Sequence, residues 1–99
     1  MGVHYEGIHF ECDDDKAEAN VANHDGVTFL EAVTVFTDPP SVICDDDEHS
    51  GDEHRFLTIG RSSQNRIPIV SYAERLDVIR IISARVAEPR ESRAYEEGI

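Results

Sequence analysis

The hydrophobic pattern of this chain changes period near residue 40. Val3 to Glu11 alternates loosely between apolar and polar positions, as a strand with one buried face does, and predicts a first strand. Asp13-Asp14-Asp15 follows, and carboxylates there cap a helix and complement the positive end of its dipole. That helix is predicted to run to about His24. Ala17 and Val21 form an apolar stripe along it, and Lys16, Asn20 and His24 fall at i, i+4 and i+8 on a polar stripe beside it. Gly26 ends it in a left-handed conformation that a Cβ resists. Thr28 and Glu31 spell a capping box, with Val27 and Ala32 as its hydrophobic staple, so a second helix is predicted from Thr28 with Phe29, Leu30, Val33 and Phe36 buried. Asp38-Pro39-Pro40 stops it, because a residue before proline is pushed out of the helical region.

From Ser41 onward the pattern is that of strands. Ser41 to Cys44, Arg55 to Gly60, Ile67 to Ala73 and Val78 to Ala84 are each rich in β-formers, and the short intervals between them favour antiparallel hairpins. Pro68 lacks an amide proton, which suits an edge strand or a strand that begins later. Pro89 suits the first turn of a short helix through Glu97. The order predicts an α+β fold: two N-terminal helices and a short C-terminal helix packed on one side of a mainly antiparallel sheet. No linker divides the 99 residues, so one domain over residues 1–99 is expected.

Charge narrows the partners. Twenty-one carboxylates against nine cations give a net charge of -12, which argues against direct binding to DNA through a broad basic face. A nucleic acid would be contacted locally, and such acidity suits a basic partner or a salty medium. The sequence has no apolar run of about 20 residues to span a bilayer and no leader, so a cytoplasmic protein is expected. Cys12 and Cys44 are expected to be free thiols.

The candidate chemistry centres on Val78 to Arg85, a strand with two arginines. A buried guanidinium needs an anion. Alternation places Arg80 with Val78 and Ile82, and Arg85 on the opposite face with Ile81 and Ser83, so the two converge only if the strand bulges near Ser83. The competing reading pairs either arginine with a carboxylate such as Glu53 or Glu74. Arg55 fits an ion pair as well as a phosphate contact. His24 is the acid/base candidate by its ordinary pKa, and Tyr72 fits proton donation, base stacking or plain packing. Asp45, Asp47 and His49 are spaced like the start of a calcium loop, but Ser50 stands where that loop needs glycine and Phe56 where it needs a bidentate glutamate, so no metal is assigned. Glu53 is set apart, because it opens a strand and can orient an arginine.

Several motifs carry a resemblance. Phe10-Glu11-x-Asp13-x-x-Lys16-Ala17-x-x-Asn20-x-x-x-His24, Gly26-Val27-x-Phe29-x-Glu31-Ala32, Val35-Phe36-x-Asp38-Pro39, Glu53-x-Arg55, Ile59-Gly60-x-Ser62, Tyr72-x-Glu74-Arg75 and Arg80-Ile81-Ile82-Ser83-Ala84-Arg85 together resemble the BrnT toxins from about Tyr5 to Glu97. The resemblance implies a RelE-like fold and a ribonuclease toxin acting on cellular RNA. It also implies neutralisation by a DNA-binding, BrnA-like antitoxin, a ribbon-helix-helix protein, in a heterotetramer built around an antitoxin dimer. The chain departs from the family at Cys12, where tryptophan is usual, at Asn23, where lysine is common, at an inserted Asp25, and in a final helix less rich in arginine. On this reading Arg80 and Arg85 stabilise the scissile phosphate, His24 or Glu53 moves protons, Tyr72 assists, and Lys16, Asn20 and Arg55 contact RNA. Cleavage through the RNA's own 2′-hydroxyl requires neither metal nor cofactor. The alternative is an interaction protein that binds the antitoxin and has lost cleavage.

Overall fold

The computed structural model describes residues 2–23, 26–38, 41–46 and 53–97. Its elements are β1 (Gly2–Tyr5), β2 (Ile8–Cys12), α1 (Asp14–Asn23), α2 (Phe29–Val35), β3 (Val42–Asp45), β4 (Arg55–Ile59), β5 (Pro68–Arg75), β6 (Val78–Val86) and α3 (Pro89–Glu96). The α+β class predicted from the element order holds. The strands form one six-stranded sheet in the order β1-β2-β6-β5-β4-β3. Every neighbouring pair is antiparallel except β2 and β6, which run parallel with Glu11 beside Arg80 and Cys12 beside Ile81.

The predicted first strand is two. Glu6 and Gly7 both have positive φ, 51° and 81°, and fold Val3 to Glu11 into a tight hairpin. Pro68 is not at an edge, but the strand does begin later than drawn: Pro68 rather than Ile67 is the first residue of β5, an interior strand, where a missing donor costs least.

One sheet face carries the main core. Phe10, Val70, Ile81 and Ala84 pack there against Val27 and against Phe29, Ala32, Val33 and Val35 of α2. Leu30, expected inside, is 57% exposed because it falls on the outer side of this seven-residue helix. Thr28 caps α2 as predicted, its Oγ1 accepting the Glu31 N–H at 3.0 Å. The Glu31 carboxylate is instead buried against the β4–β5 loop, where it accepts from Arg66 Nη2 at 2.6 Å, Arg66 Nε at 2.7 Å and Ser62 Oγ at 2.7 Å. These charge-assisted bonds tie α2 to the sheet.

α3 lies on the opposite face, contrary to the expectation of helices on one side. Tyr95 packs with Ile67 and Ala87, flanked by Ile59 and Ile69, and its hydroxyl donates to Asp38 Oδ2 at 2.5 Å. Since Val70 and Ala84 face the main core, their strand neighbours Ile69 and Arg85 face α3. This small helix covers only part of its face.

Candidate functional site

The site follows from an irregularity in β6. Ser71 pairs with Ser83 but Tyr72 pairs with Ile81, so Ile82 is an extra residue, a bulge next to the predicted Ser83. The bulge restores Ile79, Ile81, Ala84 and Val86 to the helix-covered face and puts Arg80 and Arg85 together on the other. They share a face but not a ligand. Five positions along a strand separate them by about 15 Å, too far for one phosphate.

Arg85 is held by α3. Its guanidinium grips Glu91 with two bonds of 2.8 and 2.9 Å, which hold the Glu91 carboxyl below its ordinary pKa and raise that of Arg85. The expected convergence of the two arginines is therefore replaced by an anchor for the C-terminal helix.

Arg80 stands on the part of the face that α3 leaves open. Along one cross-strand row sit Gly2, Glu11, Arg80, Ala73 and Arg55, in that order across β1, β2, β6, β5 and β4. Ala73 is buried between the two arginine positions. Arg80 Nη2 donates to Glu53 Oε1, and Arg75 Nη2 lies 3.6 Å from Glu53 Oε2, so one carboxylate holds two guanidinium groups. Glu53 thus holds Arg80 as expected, although it stands two residues before β4 rather than in it.

Two clefts meet at Arg80 and Glu11. One, of about 420 Å³, opens where β2 leaves the sheet for α1 and is also lined by Lys16, Asp13 and Ile82. The other, of about 290 Å³, is lined by Glu53, Ala73, Arg75 and Val78, with the fully exposed Leu76 on its rim. Leu76 holds φ at 55° to close the β5–β6 hairpin. Lys16 and Arg80 bring two cations to the larger cleft despite the overall acidity.

Two of the expected residues belong elsewhere. Asn20 is no RNA ligand: it is 4% exposed, and its Nδ2 donates to Val27 O at 2.8 Å and Ala84 O at 2.7 Å while its Oδ1 accepts from Ala84 N at 2.9 Å. Beyond Ile81 the β2 side of β6 has no strand partner in register among the described residues, and the Asn20 amide takes its place. Tyr72 lies on the helix-covered face, 2% exposed, with its ring 4.9 Å from Phe36 and 5.4 Å from Phe56. Burial, then nearby Glu74 and Cys44, pushes its phenol up to about 12, so it neither reaches Arg80's face nor gives up a proton readily.

His24, Asp47 and His49 lie outside the described residues. At the ends of that acidic segment His54 Nε2 meets Asp45 Oδ1 at 3.0 Å. Cys12 and Cys44 are not joined in a disulfide; Cys44 is exposed, and Cys12 is buried, which pushes its thiol up. Glu11 is the residue of this site that the sequence reading passed over. Its parity was visible, since Phe10 and Cys12 on either side are buried, but its place beside Arg80 depends on the parallel β2–β6 pairing.

Comparison with known proteins agrees with this architecture. The family model described as "Ribonuclease toxin, BrnT, of type II toxin-antitoxin system" matches residues 12–91. Among solved structures, the 1.1 Å crystal structure of the Brucella abortus ribonuclease toxin BrnT aligns with a TM-score of 0.61 and 20% sequence identity, covering 80% of this chain and 95% of that one. At that identity the likeness is one of fold. No curated protein matches.

Proposed function

The chain belongs to the BrnT family, ribonuclease toxins of type II toxin-antitoxin systems, and from that premise we propose that residues 1–99 form one toxin domain that cleaves cellular RNA without a metal and is silenced by a cognate antitoxin. The observation that carries the reading is Arg80, held on an open sheet face by Glu53 and shared between two clefts, with Lys16 across the larger one.

Cleavage through the 2′-hydroxyl sets three demands: a proton acceptor for that hydroxyl, a cation for the charge building on phosphorus, and a proton donor for the leaving oxygen. A guanidinium meets the second at any working pH, because its planar fork matches phosphate oxygens and stays charged. Held in advance by Glu53, it needs little reorganisation as charge develops. Lys16 supplies a second cation, and Arg55, farther along the same row, suits a flanking phosphate. The antitoxin in this reading is a DNA-binding, BrnA-like ribbon-helix-helix protein that forms a heterotetramer with the toxin, and the net charge of -12 suits a basic partner segment. A cytoplasmic setting belongs to the same proposal; no helix among the described residues is long and apolar enough to cross a membrane.

The test is cleavage of a single-stranded RNA oligonucleotide by the purified chain in a chelator, with Arg80→Ala and Arg85→Ala beside it. Arg80→Ala should stay folded and slow cleavage by roughly 100-fold or more, the loss typical of one transition-state donor. Arg85→Ala should lower thermal stability by freeing α3 while the folded fraction still cuts. An Arg80→Ala variant as active as the parent refutes the assignment. The same acidity favours a second reading, an antitoxin-binding protein without cleavage, and a folded parent chain that leaves RNA intact would select it.

A further inference from the structure

The ribonuclease reading leaves its proton acceptor unassigned among the described residues. Glu53 is the obvious carboxylate, but it is already bonded to Arg80 and lies beside Arg75, so both its oxygens face cations. Tyr72 is on the wrong face and buried. Cys12 lines the larger cleft, but its side chain packs into the main core. Glu11 has the placement the others lack. It is exposed, it sits in register beside Arg80 on the adjacent parallel strand, and it lines both clefts that Arg80 lines. Paired strands run about 4.8 Å apart, so the two side chains leave the sheet as immediate neighbours on one face. Among the described residues the Glu11 carboxylate makes no hydrogen bond or ion pair, and the same holds for the Lys16 ammonium. On the far side of Glu11 stands Gly2, where a Cβ would meet the His9 imidazole at 3.4 Å, so the His9 ring borders that flank.

We infer that Glu11 is the catalytic proton acceptor of this site, that Lys16 is its proton donor, and that Glu53 is a positioning residue acting through Arg80. The inference rests on the ribonuclease reading above. In the step, the Glu11 carboxylate takes the proton of the 2′-hydroxyl as its oxygen forms the new bond to phosphorus. The bond from phosphorus to the 5′ oxygen breaks with its electron pair on that oxygen, which takes a proton from Lys16. One proton enters the protein and one leaves it. The products are a 2′,3′-cyclic phosphate and a 5′-hydroxyl end, and Arg80 balances the charge on the phosphate oxygens between them.

The experiment measures single-turnover cleavage of a fluorescent single-stranded RNA in chelator across the pH range, for the parent chain, Glu11→Gln, Glu11→Asp and Glu53→Gln, each checked for fold by circular dichroism. Glu11→Gln should be about 100-fold slower, the usual worth of a general base, and should lose the acidic limb of the pH-rate profile. Glu11→Asp should recover part of the rate and the limb. Glu53→Gln should slow the reaction but keep the limb, as a group that only holds Arg80 must. A Glu11→Gln chain with the parent's rate, or with the acidic limb intact, overturns the inference and leaves the ribonuclease reading standing. A parent chain that cuts an RNA whose cleavage site carries a 2′-deoxy sugar overturns the 2′-hydroxyl mechanism and, with it, the need for Glu11.

Discussion

Replacing Asn20 with alanine should cost this protein a large part of its stability and little direct contact with RNA. The side chain makes three hydrogen bonds of 2.7 to 2.9 Å to backbone groups of Val27 and Ala84, both almost wholly buried. At about 1 kcal/mol for each bond the loss is ~3 kcal/mol, and stranding both polar groups of Ala84 away from water adds ~1 kcal/mol or more. A total near 4 kcal/mol is large against the roughly 5–15 kcal/mol that stabilises a typical domain. Urea unfolding followed by far-UV circular dichroism measures it. With a slope of ~1–1.5 kcal/mol per molar urea for a chain of this size, the midpoint should fall by ~3 M, or the variant should be partly unfolded without denaturant. A loss below ~1 kcal/mol, with weakened RNA binding, would refute the backbone-lock argument and return Asn20 to the substrate surface.

Two further predictions concern the core. Glu31 has its carboxyl held below the ordinary 4.5, first by the bond from Arg66 and then by Ser62, against the opposing effect of burial. A lowered folded value means that this stabilisation is complete above about pH 4.5 and is lost as pH falls through the folded value. The stability gap between the parent and Glu31→Gln should therefore shrink on acidification below about pH 4.5, and a gap that stays flat through the acid range refutes the pairing. Thr58 is 1% exposed, and its hydroxyl finds no partner among the described residues. Thr58→Val keeps the shape and removes that uncompensated group, so it should raise stability by ~1 kcal/mol in the same urea assay, whereas a destabilised variant would show that the hydroxyl is bonded in solution.

Much of this architecture was legible because it is local. The Thr28 cap, the end of α1 before Gly26, the four later strands and the Pro89 start of α3 depend on residues within a few positions of each other, where spacing and side-chain chemistry decide the outcome. The Glu6-Gly7 hairpin was missed because its signal is two residues inside an otherwise continuous alternation. Gly60 was visible as a motif glycine, but its reason is tertiary. A Cβ there would stand 2.9 Å from the Ser41 Cβ and 3.0 Å from Val35 Cγ1, both distant in sequence.

By itself the sequence determined the class of fold, the arginine-bearing strand, the scarcity of cations and the family resemblance, all of which reside in local pattern or in the order of motifs. Which side chains meet was decided only in three dimensions. The Ile82 bulge moved Arg85 onto Arg80's face, yet strand length kept them apart and α3 claimed Arg85. Parallel pairing of β2 with β6 set Glu11 beside Arg80, and the end of that pairing turned Asn20 from a surface polar residue into a substitute strand. Alternation fixes the side of a sheet on which a residue stands, but register, crossover and covering helix fix its neighbours, and the chemistry of this site depends on those neighbours.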